Sequence, residues 1–252
     1  MSQRKPLVFI SHIGAEAEIA IGFKKLIESH FLKMMDVFVS SDGQSITMGQ
    51  HWLSQITLAL ESSAVEVIIA SPVSVTRPWI NFEAGAGWIR QVPVIPLCHA
   101  GMTPDSLPVP LKLLQASSAT DAIGLRRVFS VLADALGAED REPAVGPFIE
   151  EVKRFDEQYI FWDIVNRIFV HFQGAVIAKL QEGDGLPFEI HVSASNMQAL
   201  APFEPFLAEH GLVRFAKIGT MLGNEPMTRC TLTPLPNLNA TLKDPRFSPR
   251  VH

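Results

Sequence analysis

Apolar residues fall along the first half of the chain in short runs, separated by stretches of helical period. Leu7-Val8-Phe9-Ile10-Ser11-His12 is an apolar run ending in polar residues, the pattern of a buried strand. From 16 to 29 the period becomes helical, with Ile19, Phe23, Leu26 and Ile27 on one face. Residues 37–41 read as a second strand and 42–49 as a polar loop with two glycines. Trp52, Ile56, Ala59 and Leu60 mark another amphipathic helix. Residues 65–71 read as a third strand stopped by Pro72, and the next helix carries Glu83 to Trp88. Residues 92–97 read as a fourth strand, and a last helix fits 119–136. Strands alternating with helices predict βαβ units and a parallel sheet. Sites in such sheets form outside the carboxyl ends of the strands. Ser11-His12, Ser40-Ser41-Asp42 and Ser71 all occupy those ends.

The texture changes after residue 137. The segment 138–147 is rich in small, charged and proline residues and reads as a linker between a domain at 1–137 and another at 148–252. Phe148, Val152, Phe155, Tyr159, Trp162 and Val165 open an apolar stripe at helical spacing that continues to Leu180. Isoleucines and Phe161 widen the stripe until little of the circumference is polar, so the helix is expected to be buried. Fully burying each large side chain is worth roughly 1.5–3 kcal/mol. One face is therefore expected on the helix's own C-terminal module. The other is expected against the first domain or the same helix of a second chain. A strand follows at 188–192, then a helix at 197–210 bent or delayed by its prolines, then strands near 212–218 and 227–233. The order resembles a winged-helix-like or other small α+β module, with an irregular tail from Pro234.

Composition narrows the function classes. The 252 residues are 47% hydrophobic and carry a formal charge of -5, which argues against a general nucleic-acid binder. Residues 143–252 hold ten Lys and Arg against twelve Asp and Glu, with no basic run, so the second domain is read as regulatory and oligomerising, not as a DNA reader. Cys98 and Cys230 are far apart, which fits a reducing compartment and not a disulfide scaffold. The N-terminus runs straight into a strand without a signal peptide, and no apolar stretch is long enough to span a bilayer, so the expectation is a cytoplasmic protein. The histidines show no metal-ligand spacing, and no metal site is expected.

Trp79-Ile80-Asn81-Phe82-Glu83-Ala84-Gly85-Ala86-Gly87-Trp88 puts one carboxylate among aromatic and small residues. Trp79 and Glu83 share a helix face. A buried carboxylate is costly unless it is paired or used. Its plain structural reading is a salt-bridged or capping residue at a helix start. Asp42 reads equally as a turn former beside Gly43, and His12 as a hydrogen-bonded strand end.

Taken in order, these segments resemble a TIR domain, the module shared by Toll-like and interleukin-1 receptors and many bacterial proteins. Val8-Phe9-Ile10-Ser11-His12 resembles the family's opening strand. The loop from Asp42, with Ile46, Gly49 and Trp52, resembles the loop after its second strand, although Ser40-Ser41 precede the acid here. Ile68-Ile69-Ala70-Ser71-Pro72 resembles its third strand, Trp79 to Glu83 the W-x-x-x-E arrangement of its enzymatic members, and Val94-Ile95-Pro96-Leu97 the strand after it.

The resemblance implies an α/β, flavodoxin-like parallel sheet followed by a smaller helical or α+β domain. It implies cleavage of the nicotinamide–ribose bond of NAD in bacterial antiphage defence, with Glu83 as the catalytic acid. Trp79, Ser11, His12 and Asp42 are the substrate-binding candidates. NAD is expected as substrate, because the Rossmann glycine fingerprint and the Walker A pattern are both missing. Self-association through both domains is expected, with the loop at 42–50 meeting a neighbouring protomer. The competing readings are a non-catalytic TIR adaptor and a nucleoside deoxyribosyltransferase-like enzyme.

Overall fold

In the computed structural model the chain forms two units, Met1–Gln158 and Tyr159–His252. The structure describes residues 5–40, 50–182, 185–221 and 227–249. The first unit alternates β1 (Leu7–Ser11), α1 (Ala17–His30), β2 (Asp36–Val39), α2 (Gln50–Ser62), β3 (Ser63–Ala70), α3 (Pro78–Ile89), β4 (Val94–Cys98), β5 (Ser117–Ser118) and α4 (Ala122–Leu136). The strands pair in parallel in the order β2-β1-β3-β4-β5. This is the flavodoxin-like sheet expected from the sequence. The loop containing Asp42 lies outside the described residues.

The two-residue period of the strands sorts side chains between the helical layers. Val8, Ile10, Val67 and Ile69 pack with Phe23 of α1 and Phe129 of α4. Phe9 packs with Ile56, Ala59 and Leu60 of α2, while Ile68 and Ala70 pack with Ile80 and Ala84 of α3. Helices therefore cover both faces, which is why β3 reads as an almost continuous apolar run. Pro96 is tolerated inside β4 because β5 meets that strand only at Leu97 and Cys98, so its missing N–H interrupts little. Asp121 caps α4 by accepting from the Ile123 and Gly124 amides. Gly137 ends that helix in the left-handed region, at φ 67°. Strand β5 was not legible in the sequence, because two residues carry no period.

The first unit runs past the 138–147 segment, because α5 (Gly146–Phe169) starts at its end. Phe148, Val152 and Phe155 of α5 join the core that contains Phe23 and Phe129. The apolar stripe is not one helix. It breaks at 170–173 and resumes as α6 (Gly174–Glu182). The break turns Phe172 onto Phe169, ring to ring at 5.1 Å.

The second unit holds α6, β6 (Phe188–Ser193), α7 (Ala194–Leu200), α8 (Glu204–Glu209), β7 (Val213–Met221), β8 (Met227–Pro234) and α9 (Leu238–Lys243). Its strands are antiparallel in the order β6-β8-β7. Val165, Ile168 and Phe169 from the end of α5 pack with Leu200, Leu207, Cys230 and Leu232. The helix expected over 197–210 is split by a 3-10 turn at Ala201–Phe203, where Pro202 and Pro205 each remove a helical N–H donor. The tail is not wholly irregular. Leu238 and Leu242, one turn apart, are buried and set α9 against the core.

Candidate functional site

Strand order reverses at β1, with β2 on one side and β3 on the other, which opens a crevice at their carboxyl ends. Helix α3 lies over this region. Pro78 occupies its first turn, where a missing N–H costs nothing. Trp79 follows in the same turn and Glu83 one turn later, on the same face.

Glu83 is 0% exposed. The Trp79 indole Nε1 donates to its Oε1 at 2.7 Å. The Ser11 hydroxyl, from the last residue of β1, makes a short hydrogen bond to Oε2. Ser40, just after β2, donates to the same oxygen at 3.3 Å. Two neutral hydroxyls and an indole thus hold the carboxylate against α3 and the ends of β1 and β2. Hydrogen bonds to the charged form offset the desolvation of a buried carboxylate. Trp79 is half-buried and stacks on the exposed Phe82 at 5.2 Å.

Of the residues singled out in the sequence, Ser11, Trp79 and Glu83 come together. His12 is buried directly after Ser11. Asp42 lies outside the described residues. Ser40 was visible only as a strand-end serine. Its role depends on β2 lying beside β1 in register, with Ile10 opposite Val39.

A second buried cluster lies at the ends of β1, β3 and β4. Glu16, at the start of α1, accepts from the Ser71 hydroxyl at 2.5 Å and from the Ile13 amide at 3.4 Å. His99, directly after β4, places Nε2 3.3 Å from Glu16 Oε1 and Nδ1 2.8 Å from Asp156 Oδ1 of α5. The other Asp156 oxygen accepts from the Ala100 amide at 2.9 Å. Burial works against charge on His99, but the hydrogen bonds and charges of Asp156 and Glu16 outweigh it and hold the imidazole up to about 9. Sequence reasoning did not find this cluster, because Glu16, His99 and Asp156 come from three distant segments of the chain.

A third carboxylate, Glu66 of β3, lies level with the start of β4 and is also 0% exposed. It accepts from Ser63 Oγ at 3.1 Å and lies 3.8 Å from Arg90 Nη1. Burial pushes its carboxyl up to about 7, although Ser63 and Arg90 pull the other way. Burial also pushes the Cys98 thiol up to about 12, so it packs as a small apolar side chain. Among the described residues no group of three or more His, Cys, Asp and Glu is placed to hold a metal ion. No described helix is long and apolar enough to cross a membrane.

Residues 8–129 match the family model of the TIR domain, and this part of the chain is a TIR domain. No curated protein matches the chain. Among solved structures it is similar to the sugar isomerase domain of an RpiR transcription factor from Sphaerobacter thermophilus. Identity is 14%, covering 62% of this chain and 70% of that one, with a TM-score of 0.33. So distant a likeness carries nothing for function.

Proposed function

We propose that the TIR domain cleaves the nicotinamide–ribose bond of NAD, with Glu83 as the catalytic carboxylate, in bacterial antiphage defence signalling. The observation that carries this reading is a buried carboxylate at the switch point of the sheet, bonded by the hydroxyls of Ser11 and Ser40 and the indole of Trp79. Departure of nicotinamide takes the electron pair of the glycosidic bond to the ring nitrogen and leaves positive charge on the ribose. A fixed carboxylate in a low-dielectric setting stabilises that charge. Water then adds to the ribose C1′ and loses a proton, giving ADP-ribose, nicotinamide and one proton. A ribose hydroxyl can replace the Ser11 or Ser40 hydroxyl on Oε2, since each presents the same O–H donor. Trp79 fixes the opposite oxygen and positions the acid, and its ring and His12 complete the substrate-binding set together with Asp42.

Glu83 has no exposed surface, so on this reading turnover requires that substrate gain access to it. We assign that control to self-association through the TIR domain and to the second unit as a regulatory and oligomerising module. The competing reading is a TIR adaptor that acts by association alone. One observation favours it: three donors already satisfy Glu83, as a purely structural carboxylate would require.

Incubating the full chain with NAD over a wide dilution series, with mass spectrometry of the products, separates the two. Nicotinamide release that rises with protein concentration and disappears in Glu83→Ala supports the enzyme, and the mass of the co-product tells linear from cyclic ADP-ribose. Undiminished turnover in Glu83→Ala refutes the assignment. Absence of turnover at every concentration leaves the adaptor. Cleavage of deoxynucleosides in place of NAD would establish the transferase.

A further inference from the structure

The Glu16–His99–Asp156 cluster takes no part in the carboxylate chemistry, yet it is built from charge in a place where apolar packing would serve. Helix α5 is already anchored by Phe148 and Val152, both in the apolar core. Buried ion pairs are weak sources of net stability compared with apolar packing of the same volume, so their presence calls for another reason.

The connectivity supplies one. Asp156 bridges the His99 ring and the Ala100 amide, gripping the turn that follows β4. The His99 backbone N–H donates to Ala70 O at 2.9 Å, so that turn is tied to the end of β3. His99 Nε2 faces Glu16, and Glu16 holds both the Ser71 hydroxyl beyond β3 and the Ile13 amide beyond β1. Ile13 is two residues from Ser11, whose hydroxyl binds Glu83. A continuous chain of polar contacts and short backbone links therefore runs from α5 to the candidate catalytic carboxylate. Helix α5 is also the element both units share, because Val165, Ile168 and Phe169 at its other end belong to the core of the second unit.

We propose that Asp156, His99 and Glu16 are a relay through which α5 sets the position of Ser11 and hence of Glu83. They are positioning residues: none touches the reacting atoms, and each acts through the end of β1. The relay is the path by which a change felt along α5 reaches the site. Glu16 from the corner between β1 and α1 and Asp156 from α5 are the charges flanking His99, and Phe155 of α5 lays its ring beside the imidazole at 5.9 Å.

The test uses the full chain carrying Asp156→Asn or His99→Gln, with Asp156→Glu as the conservative variant and exposed Glu150→Gln as control. Hydrogen exchange followed by mass spectrometry is read on the peptide spanning 11–16, which contains the Ile13 amide. Asp156→Asn and His99→Gln are expected to speed its exchange about tenfold, while Asp156→Glu restores part of the protection and Glu150→Gln changes nothing. The activity arm rests on the NAD reading. There kcat falls about tenfold with KM nearly unchanged, because misplacing a catalytic group costs rate more than binding. If the wild type releases no nicotinamide, the NAD reading fails and the exchange arm alone decides the relay. Faster exchange confined to α5, with 11–16 unchanged, overturns it, as does a loss of activity proportional only to a loss of folded protein.

Discussion

The two ends of helix α3 each cover a buried carboxylate on the same face of the sheet, and they solve the problem differently. Toward the amino ends of the strands, Glu66 lies beside Arg90 and Ser63, under a helix turn so close that only glycine fits at 87. Toward the carboxyl ends, Glu83 is held by Ser11, Ser40 and Trp79. A cation and a hydroxyl beside a buried carboxyl suit a structural tie, since they offset part of the cost of burying it. Neutral hydroxyls can be exchanged for the hydroxyls of a sugar. The difference teaches that burial does not mark function by itself: the nature of the donors and the end of the sheet do.

The largest expected break in this comparison comes from neutralising each acid in turn. Glu83→Gln should lower nicotinamide release by about 10²-fold or more, the scale of losing one main electrostatic element of a transition state. Glu66→Gln should keep turnover per folded molecule near wild type. Equal loss in both, measured on protein matched for melting temperature, would erase the distinction.

The next contrast lies in two glycines of α3. A Cβ at Gly87 would run into the Glu66 carboxylate and come 2.7 Å from Val94 Cγ2, whereas one at Gly85 meets nothing within 4 Å. Gly87→Ala should therefore destabilise by roughly 1–3 kcal/mol through overpacking. Gly85→Ala should stabilise by roughly 0.5–1 kcal/mol through helix propensity. Denaturant melts of both variants read the two signs directly.

The two ends should also titrate in different windows. Glu66 keeps its proton in the folded state up to about 7, against the ordinary carboxyl value of 4.5. Between these values the folded protein holds a proton that the unfolded chain has lost, so stability falls as pH rises. His99 stays protonated to about 9, against 6.5. Its contribution is fully present below 6.5 and is lost as pH rises through 9. Each window is worth on the order of 3 kcal/mol. Glu66→Gln should flatten the lower slope and Asp156→Asn the upper, in melting temperatures taken from pH 4.5 to 9.5.

The smallest effects belong to the hydroxyls. Ser11→Ala removes one hydrogen bond to the Glu83 carboxyl and should slow turnover about tenfold. Ser63→Ala should leave turnover alone and move the Glu66 titration further up, since that hydroxyl lowers it. A slower Ser63→Ala enzyme would show the two ends to be coupled.

How much of this was legible in the sequence follows from the range of each interaction. Strands β1 and β3 and helices α1 and α4 are written in local period, and Glu83 stands one turn from Trp79. Ser40 becomes a partner of Glu83 only through strand register, which no local pattern carries. Residues 65–71 read as a strand, but nothing local marks Glu66 as buried, because its partner Arg90 arrives a whole helix later. His99 and Asp156 meet only after β4 and α5 are in place. In the second unit, the proline-rich and asparagine-rich tail hid the pair Leu238 and Leu242. The unbroken apolar stripe likewise concealed the turn at 170–173, where packing of Phe172 overrides the helical period.

The placement of β8 has a consequence for how the chain comes into being. It is the central strand of its sheet, pairing with β6 on one side and β7 on the other, yet it is the last of the three to leave the ribosome. Until Met227–Pro234 has emerged, β6 and β7 wait with open edges and no common partner, a state prone to pairing with other chains. In the first unit each new strand from β2 to β5 pairs with one already made, so that sheet can grow outward from β1 during synthesis. A nascent chain stalled before residue 227 would therefore carry a TIR domain able to complete its sheet beside a second unit that cannot.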